Sequence, residues 1–341
     1  MEMQFNAEQQ RVIEATGGHH LVLAPPGCGK TAVLAERIVW ACQHGVPFSQ
    51  MACLTFTNRA ARSMKERIEQ RLPEASLDGG LFVGNVHRFC LHFLFDNNIV
   101  AEHSTVIDTD TSISIISDYM GDDELQVLDD NRSRQRYSQI INLQHLMYQC
   151  CKGYPGELMV HRDALKPILL KELCAHFALA YTQESTIELY TRSDSYRDEA
   201  TGLSRDARQL MEMLYAARCY EKYKQQNDLL DFEDLLLVTY DALSAHPTGQ
   251  RFAWLQIDEV QDLNPLQMAI VDLFTTPDAT VVYLGDAQQA IFSFMGAKTD
   301  TLTMLRQRCG DHFYNFFQNY RSPQFLPDIF NRCAQWQLGI D

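Results

Sequence analysis

The sequence predicts an α/β protein: a parallel sheet with helices on both faces, plus an all-α insertion. Three observations carry that expectation. Four short runs, HHLVLAPPG (19–27), QMACLTFTN (50–58), WLQIDEVQD (254–262) and TVVYLGDAQQ (280–289), are apolar on both faces and end in polar or glycine-rich breaks. Such runs are the pattern of strands buried in a parallel sheet. Three are followed by segments of helical spacing, TAVLAERIVWACQ, RAARSMKERIEQRL and NPLQMAIVDLF. Strand, loop and helix in repetition is the order of a doubly wound domain, whose ligands gather at the carboxyl ends of the strands. Between 96 and 204 the pattern changes. DTSISIISDYM, YSQIINLQHLMYQC and PILLKELCAHFALAYTQ have helical spacing and no strand alternation, and the sheet pattern resumes after them.

Composition narrows the function classes. With 341 residues, 46% hydrophobic and 21% charged, the chain is ordinary for a globular protein of about two domains. The net charge of −15 speaks on its face against a nucleic-acid partner. Its distribution does not. Residues 101–250 hold 14 basic and 25 acidic groups, whereas residues 1–100 hold 9 of each. The ten cysteines form no C-x-x-C pair, so neither a disulfide framework nor a zinc site reads out of them. No H-E-x-x-H pair, membrane-length apolar run or signal-peptide pattern occurs, which predicts a cytoplasmic protein with no membrane contact.

The first element to carry chemistry is APPGCGKT, Ala24 to Thr31, between a predicted strand and a predicted helix. A nucleoside triphosphate needs backbone N–H groups curled around its phosphates, and Gly27 and Gly29 permit that curl. Cys28 lies between them. Lys30 supplies a charge for the β- and γ-phosphates, and Thr31 a hydroxyl ligand for Mg²⁺. The usual pattern opens on glycine, where this chain has Ala24. The second half of the site is expected at LQIDEVQD, Leu255 to Asp262. There Asp258 would hold Mg²⁺ and Glu259 would orient or deprotonate an attacking water. Lys30 and Asp258 are 228 residues apart, more than one α/β core needs, so their pairing itself requires the insertion.

In order along the chain, FNAEQQ (5–10), APPGCGKT (24–31), LTFTNRAARSMKERI (54–68), GNVHRF (84–89), LQIDEVQDLNPLQ (255–267), GDAQQAIFSFMGA (285–297) and FQNYRS (317–322) make the chain resemble the superfamily 1 DNA helicases of the UvrD/Rep type. These are bacterial ATP-driven motors that move 3′ to 5′ on single-stranded DNA. The resemblance implies a RecA-like ATPase domain in two parts, 1–95 and 205–316, a helical insertion domain at 96–204, and the start of a second RecA-like domain at 317–341. It implies ATP and Mg²⁺ as cofactors. Gln9 would read the adenine and Tyr320 stack on it, Gln289 sense the γ-phosphate, and Arg321 stabilise transition-state charge. Phe56, Thr57, Asn58, His87 and Phe294 would line the path of single-stranded DNA, or of a single-strand/duplex junction, through stacking and phosphate contacts.

Several positions depart from the family. Phe292, Phe294 and Met295 stand where Tyr, Trp and Arg are usual, and Ala32 replaces an arginine that contacts the adenine side. Cys28 replaces serine; among phosphate-binding amides at a helix N-terminus its thiol is expected to be acidified and the ATPase thiol-sensitive. The sequence ends 20 residues after Arg321, where family members continue through most of the second motor domain. The expectation is therefore an N-terminal portion completed by the rest of a longer helicase or by a partner protein. Alone it should bind ATP, hydrolyse it weakly and leave strands unseparated. The alternatives are a non-motor ATP- and DNA-binding module, or a helicase subunit of a recombination or anti-phage nuclease complex. The stretch 54–71 fits a DNA path, holding Arg59, Arg62, Lys65, Arg67 and Arg71 against Glu66 and Glu69.

Overall fold

The computed structural model describes residues 4–72, 80–246, 252–286, 298–323 and 332. The chain divides into two compact units, Met1–Phe89 with Leu243–Asp341, and Cys90–Ala242. No helix among the described residues is long and apolar enough to cross a membrane.

The first unit is the sheet domain. Its strands are β1 (Gly18–Leu23), β2 (Met51–Leu54), β3 (Phe82–Gly84), β6 (Phe252–Ile257), β7 (Thr275–Gly285) and β8 (Phe313–Asn315), in the order β3-β2-β6-β7-β1-β8. Every pairing is parallel, the arrangement expected of strands apolar on both faces. The helices of this unit are α1 (Ala7–Ile13), α2 (Lys30–Gln43), α3 (Asn58–Arg71), α13 (Pro265–Phe274) and α14 (Lys298–Cys309), while α4 (Val86–Asp96) and α12 (Phe232–Ala245) run across its boundaries. Each predicted strand–helix pair forms. The sequence signals that start the helices are visible. Thr57 caps α3 by accepting the Ala60 N–H, and Asn264 with Gln267 forms a capping box ahead of Pro265, both ordinary N-terminal devices. The core is aliphatic and wholly buried, with Val22, Val33, Leu34, Ile38, Met51, Val282 and Leu284 at its centre.

β3 and β8 have no counterpart among the predicted strands. Each is three residues long, too short to show a period, and each occupies an edge of the sheet.

The second unit is helical. It contains α5 (Thr109–Met120), α6 (Glu124–Asp129), α7 (Asn131–Lys152), α8 (Pro167–His176), α9 (Gln183–Thr191), α10 (Ser193–Glu199) and α11 (Arg205–Gln226). It also holds a two-stranded parallel ribbon of β4 (Thr105–Val106) and β5 (Leu229–Leu230). The unit reaches beyond the expected 96–204 block at both ends. At the carboxyl end the physical reason is packing: Ala207, Leu210, Leu214 and Ala217 of α11 share one buried core with Ile113, Ile140 and Leu173, and β5 pairs with β4.

A buried charge network closes this core. Lys224 donates to Asp231 at 2.7 Å, to Asp234 at 2.6 Å and to Gln144 at 3.0 Å, while His145 and the Tyr220 hydroxyl also meet Asp231. Burial alone would push the Asp231 carboxyl up, but His145 and Lys224 hold it well below the ordinary aspartate range. Breaking one partner of such a network leaves buried charge uncompensated. Lys224→Met is expected to destabilise the helical unit by about 3–5 kcal/mol at neutral pH, measured by denaturant unfolding. Because Asp231 is depressed in the folded state, its contribution is complete above the ordinary aspartate range and fades as pH falls through its folded value. The gap between wild type and variant should therefore narrow in acid.

Candidate active site and nucleic-acid surface

The carboxyl ends of β1, β2 and β6 meet along one edge of the sheet domain. After β1, Gly27 (φ 85°) and Gly29 (φ 80°) take the left-handed backbone that the loop needs, and α2 begins at Lys30. Ala24 fits without the family's glycine: it is buried, its N–H donates to Gly285 O at 2.9 Å, and its carbonyl accepts from Lys30 Nζ at 3.2 Å. Thr31 follows on the first turn of α2, half-buried.

Lys30 faces Glu259 at 3.4 Å across the sheet edge. Glu259 itself sits at φ 51°, ψ 45°, a left-handed conformation that costs a residue with a Cβ of order 1 kcal/mol. Its second carboxylate oxygen accepts from Gln261 Nε2 at 2.8 Å, and Gln261 Oε1 accepts the Asp286 N–H at 3.1 Å. Asp258 is buried at the end of β6, its N–H donating to Leu54 O and one carboxylate oxygen accepting the Glu259 N–H. Burial first, and the neighbouring Glu259 charge second, push its carboxyl up to about 6 against the pull of Lys30. A buried carboxylate with so little hydrogen bonding is a site short of positive charge.

Gln9 is also at the loop. It is buried, its Oε1 accepts the Asn6 N–H at 3.0 Å within a capping box, and its Nε2 donates to Cys28 O at 3.1 Å. Tyr320 lies over the same loop, its N–H donating to Gly27 O at 2.8 Å and its hydroxyl accepting from Asn6 Nδ2 at 3.1 Å. Asn319 was not singled out by the sequence, yet it bridges the two. Its Nδ2 donates to Pro26 O, and its Oδ1 accepts the N–H groups of Arg321 and Ser322. This side-chain turn is a recurrent use of Asn, so the NYRS tetrapeptide carried a signal for it. A Cβ on Gly27 would stand 2.8 Å from the Asn319 amide, so only glycine lets the segment approach this closely. The Arg321 side chain is exposed and makes no ion pair among the described residues. Gln289 and Phe294, with Phe292 and Met295, lie outside the described residues.

Beyond the loop, Phe56, Thr57 and Asn58 are exposed at the carboxyl end of β2. The GNVHRF segment runs beside them: Thr55 N–H donates to Gly84 O at 2.8 Å, and Asn85 Nδ2 reaches Asn58 Oδ1 at 3.4 Å. His87 is half-buried on α4, and burial lowers its imidazole below the ordinary range. At neutral pH it is an uncharged hydrogen-bonding group. Next to Ala32, where the family's arginine is missing, a cleft of about 300 Å³ is lined by Phe5, Glu36, Arg67 and Gln70 among others.

Among the described residues, His145, Asp231 and Asp234 are also spaced to hold a metal. The Lys224 ammonium touches both of those carboxylates, so a cation already occupies the place a metal would take and the cluster is a structural network.

The expectation for Cys28 is overturned. The thiol is 1% exposed and packed in the aliphatic core, and burial raises its pKa, outweighing the Lys30 charge. The loop turns the side chain at 28 inward, and the Cys28 N–H donates to Pro25 O at 3.4 Å. Cys151, by contrast, is exposed. Iodoacetamide is expected to modify Cys151 at least about tenfold faster than Cys28 in the native chain. Peptide mass spectrometry after timed quenching checks this, and equal rates would contradict the buried thiol.

The chain is similar along most of its length to known proteins. The model of the UvrD/REP helicase N-terminal domain matches residues 5–310. A probable DNA helicase II homolog of Mycoplasma pneumoniae is 28% identical over 340 residues, covering 96% of this chain and 41% of that protein. The ATP-dependent DNA helicase PcrA of Leuconostoc citreum is 28% identical over 337 residues, covering 96% of this chain and 38% of that protein. PcrA of Staphylococcus aureus is 24% identical, covering 97% and 40%. The chain spans about two fifths of the length of these curated relatives. With a parallel sheet of this order and a family match over residues 5–310, the chain belongs to the UvrD/REP helicase N-terminal domain family.

Proposed function

We propose that this chain is the ATP- and single-stranded-DNA-binding portion of a cytoplasmic DNA helicase or translocase with 3′–5′ polarity, its segment 317–341 opening a second motor domain. The observation that carries the reading is the Lys30–Glu259 pair at 3.4 Å beside a glycine-curled loop. Each group serves as the other's counter-ion. The β- and γ-phosphates of ATP, entering the loop, would replace Glu259 as the partner of Lys30. Glu259 would then be free to accept a proton from, or orient, the water that attacks the γ-phosphorus. Gln261, bonded to the other oxygen of Glu259, would hold the carboxylate in plane while this exchange occurs.

The oxygen donors of Thr31 and Asp258 suit Mg²⁺, a hard cation that takes carboxylate and hydroxyl ligands. The raised carboxyl of buried Asp258 fits a group that gains by facing added positive charge. When bound, Mg²⁺ would neutralise charge between the β- and γ-phosphate oxygens. Gln9 and Tyr320 would take the adenine, and Arg321 and Gln289 the γ-phosphate. Phe56, Thr57, Asn58, His87 and Phe294 would carry the DNA strand, stacking on bases and bonding phosphates without reading sequence. The exposed Phe56 ring, 52% accessible, supports that assignment, because an exposed aromatic at a strand end contributes nothing to the core.

Two variants test the reading. Lys30→Ala should weaken Mg·ATP binding by at least about 100-fold, and near-native affinity by calorimetry would contradict the loop assignment. Glu259→Gln should retain ATP binding while slowing hydrolysis about 10²- to 10⁴-fold, read in a phosphate-release assay. For the DNA path, Phe56→Ala should weaken binding of a fluorescent oligothymidylate by about 1–3 kcal/mol, and the affinity should fall steeply with salt.

A further inference from the structure

Arg37 is fully buried on α2 and has no carboxylate partner among the described residues. Its guanidinium faces the end of α1 instead. Nη1 donates to Val12 O and to Ile13 O (3.2 Å for the latter), and Nη2 donates to Ala15 O at 3.1 Å. The guanidinium carbon also sits 4.5 Å above the Trp254 ring of β6. Nothing in a sheet core requires a charge here; burial draws this group down to about 9, and an aliphatic side chain would fill the space. The requirement comes from α1. A helix of seven residues is too short to persist alone in water, and the carbonyls at its carboxyl end need donors.

We propose that Arg37 is the positioning residue for base recognition: it clamps α1, and with it Gln9, onto the helix of the phosphate loop. The inference rests on the nucleotide reading given above. α1 is held at both ends. The Asn6–Gln9 capping box fixes its start, and Arg37 fixes its finish. Within that clamp Gln9 spends one lone pair on Asn6 N–H and one N–H on Cys28 O. One lone pair and one N–H remain, the complement of an adenine edge. Arg37 lies seven residues, about two turns, beyond Lys30 on α2. Trp254 lies four residues before Asp258 on β6, so both point to one face of the strand. One side chain therefore touches the elements that carry Gln9, Lys30 and Asp258. Lysine cannot replace it, since a single ammonium lacks the planar fork that serves three carbonyls.

The test uses the 341-residue chain as wild type, Gln9→Ala, Arg37→Lys and Arg37→Gln, with affinities measured for Mg·ATP, Mg·GTP and Mg·tripolyphosphate. Gln9→Ala and Arg37→Lys should each lose about tenfold of the ATP-over-GTP preference, while tripolyphosphate affinity stays within about twofold of wild type. Amide hydrogen exchange should accelerate in 7–15 and remain unchanged in 30–43. Arg37→Gln, retaining a planar amide donor, should recover part of the preference. An Arg37→Lys chain with wild-type adenine preference overturns the inference. So does one that loses tripolyphosphate and ATP affinity in equal proportion, or failure of both Arg37 variants to fold, because each marks a merely structural arginine. A wild-type chain that binds no Mg·ATP removes the nucleotide reading and this inference with it; normal wild-type and Gln9→Ala behaviour beside an unaffected Arg37→Lys removes the inference alone.

Discussion

The sheet domain depends on one constraint, the parallel pairing of β1 with β7 and of β2 with β6, because it joins the two lengths of chain from which the domain is assembled and so brings Lys30 to Glu259. The pair exists only if β6 and β1 flank β7 in parallel register, as they do. Parallel neighbours carry their carboxyl ends to the same edge, so a loop after β1 and an acid after β6 arrive together. Lys30 is buried to the point that an unpaired ammonium there would be costly, and Glu259 relieves it. The interaction pairs one buried ammonium with one carboxylate, and under the proposed function a phosphate oxygen would compete with Glu259 for Lys30.

The two units solve the problem of buried positive charge differently. Lys224 is met by two carboxylates within hydrogen-bond reach, one of which also meets His145, so its network sets opposite charges directly against one another. Arg37 is met by backbone carbonyl dipoles and an aromatic face. A counter-charge fixes a point, whereas a fan of carbonyls fixes the orientation of a helix end. The first suits a core that needs only to stay closed, and the second suits a short element that must be aimed.

The sequence made the four long strands, their helices and the phosphate loop legible, because each has a period or a residue pattern with a direct steric cause. Gly27 and Gly29 are examples: the positive φ of each is what the curl demands. Three kinds of feature were not legible. β3, β8, β4 and β5 are two or three residues long and owe their conformation to neighbours already in place. The reach of the helical unit past 204 is set by which core α11 joins, a tertiary choice that helical spacing does not record. Cys28 illustrates the third. Its position at a helix N-terminus argued for an acidic thiol, but the direction of the side chain decided the matter, and it points into the core. Arg37 was hidden for the same reason, since nothing in TAVLAERIVWACQ separates a solvated arginine from a buried one.

Glu259 carries a further meaning in its backbone. At φ 51° the position favours glycine or asparagine over any residue with a longer side chain. The backbone at 259 thus works against glutamate, while its carboxylate works for it by pairing with Lys30 and Gln261. A glycine at 259 would relax the backbone and at the same time strip Lys30 of its counter-ion, so at this one position local conformational ease and electrostatic balance ask for different residues.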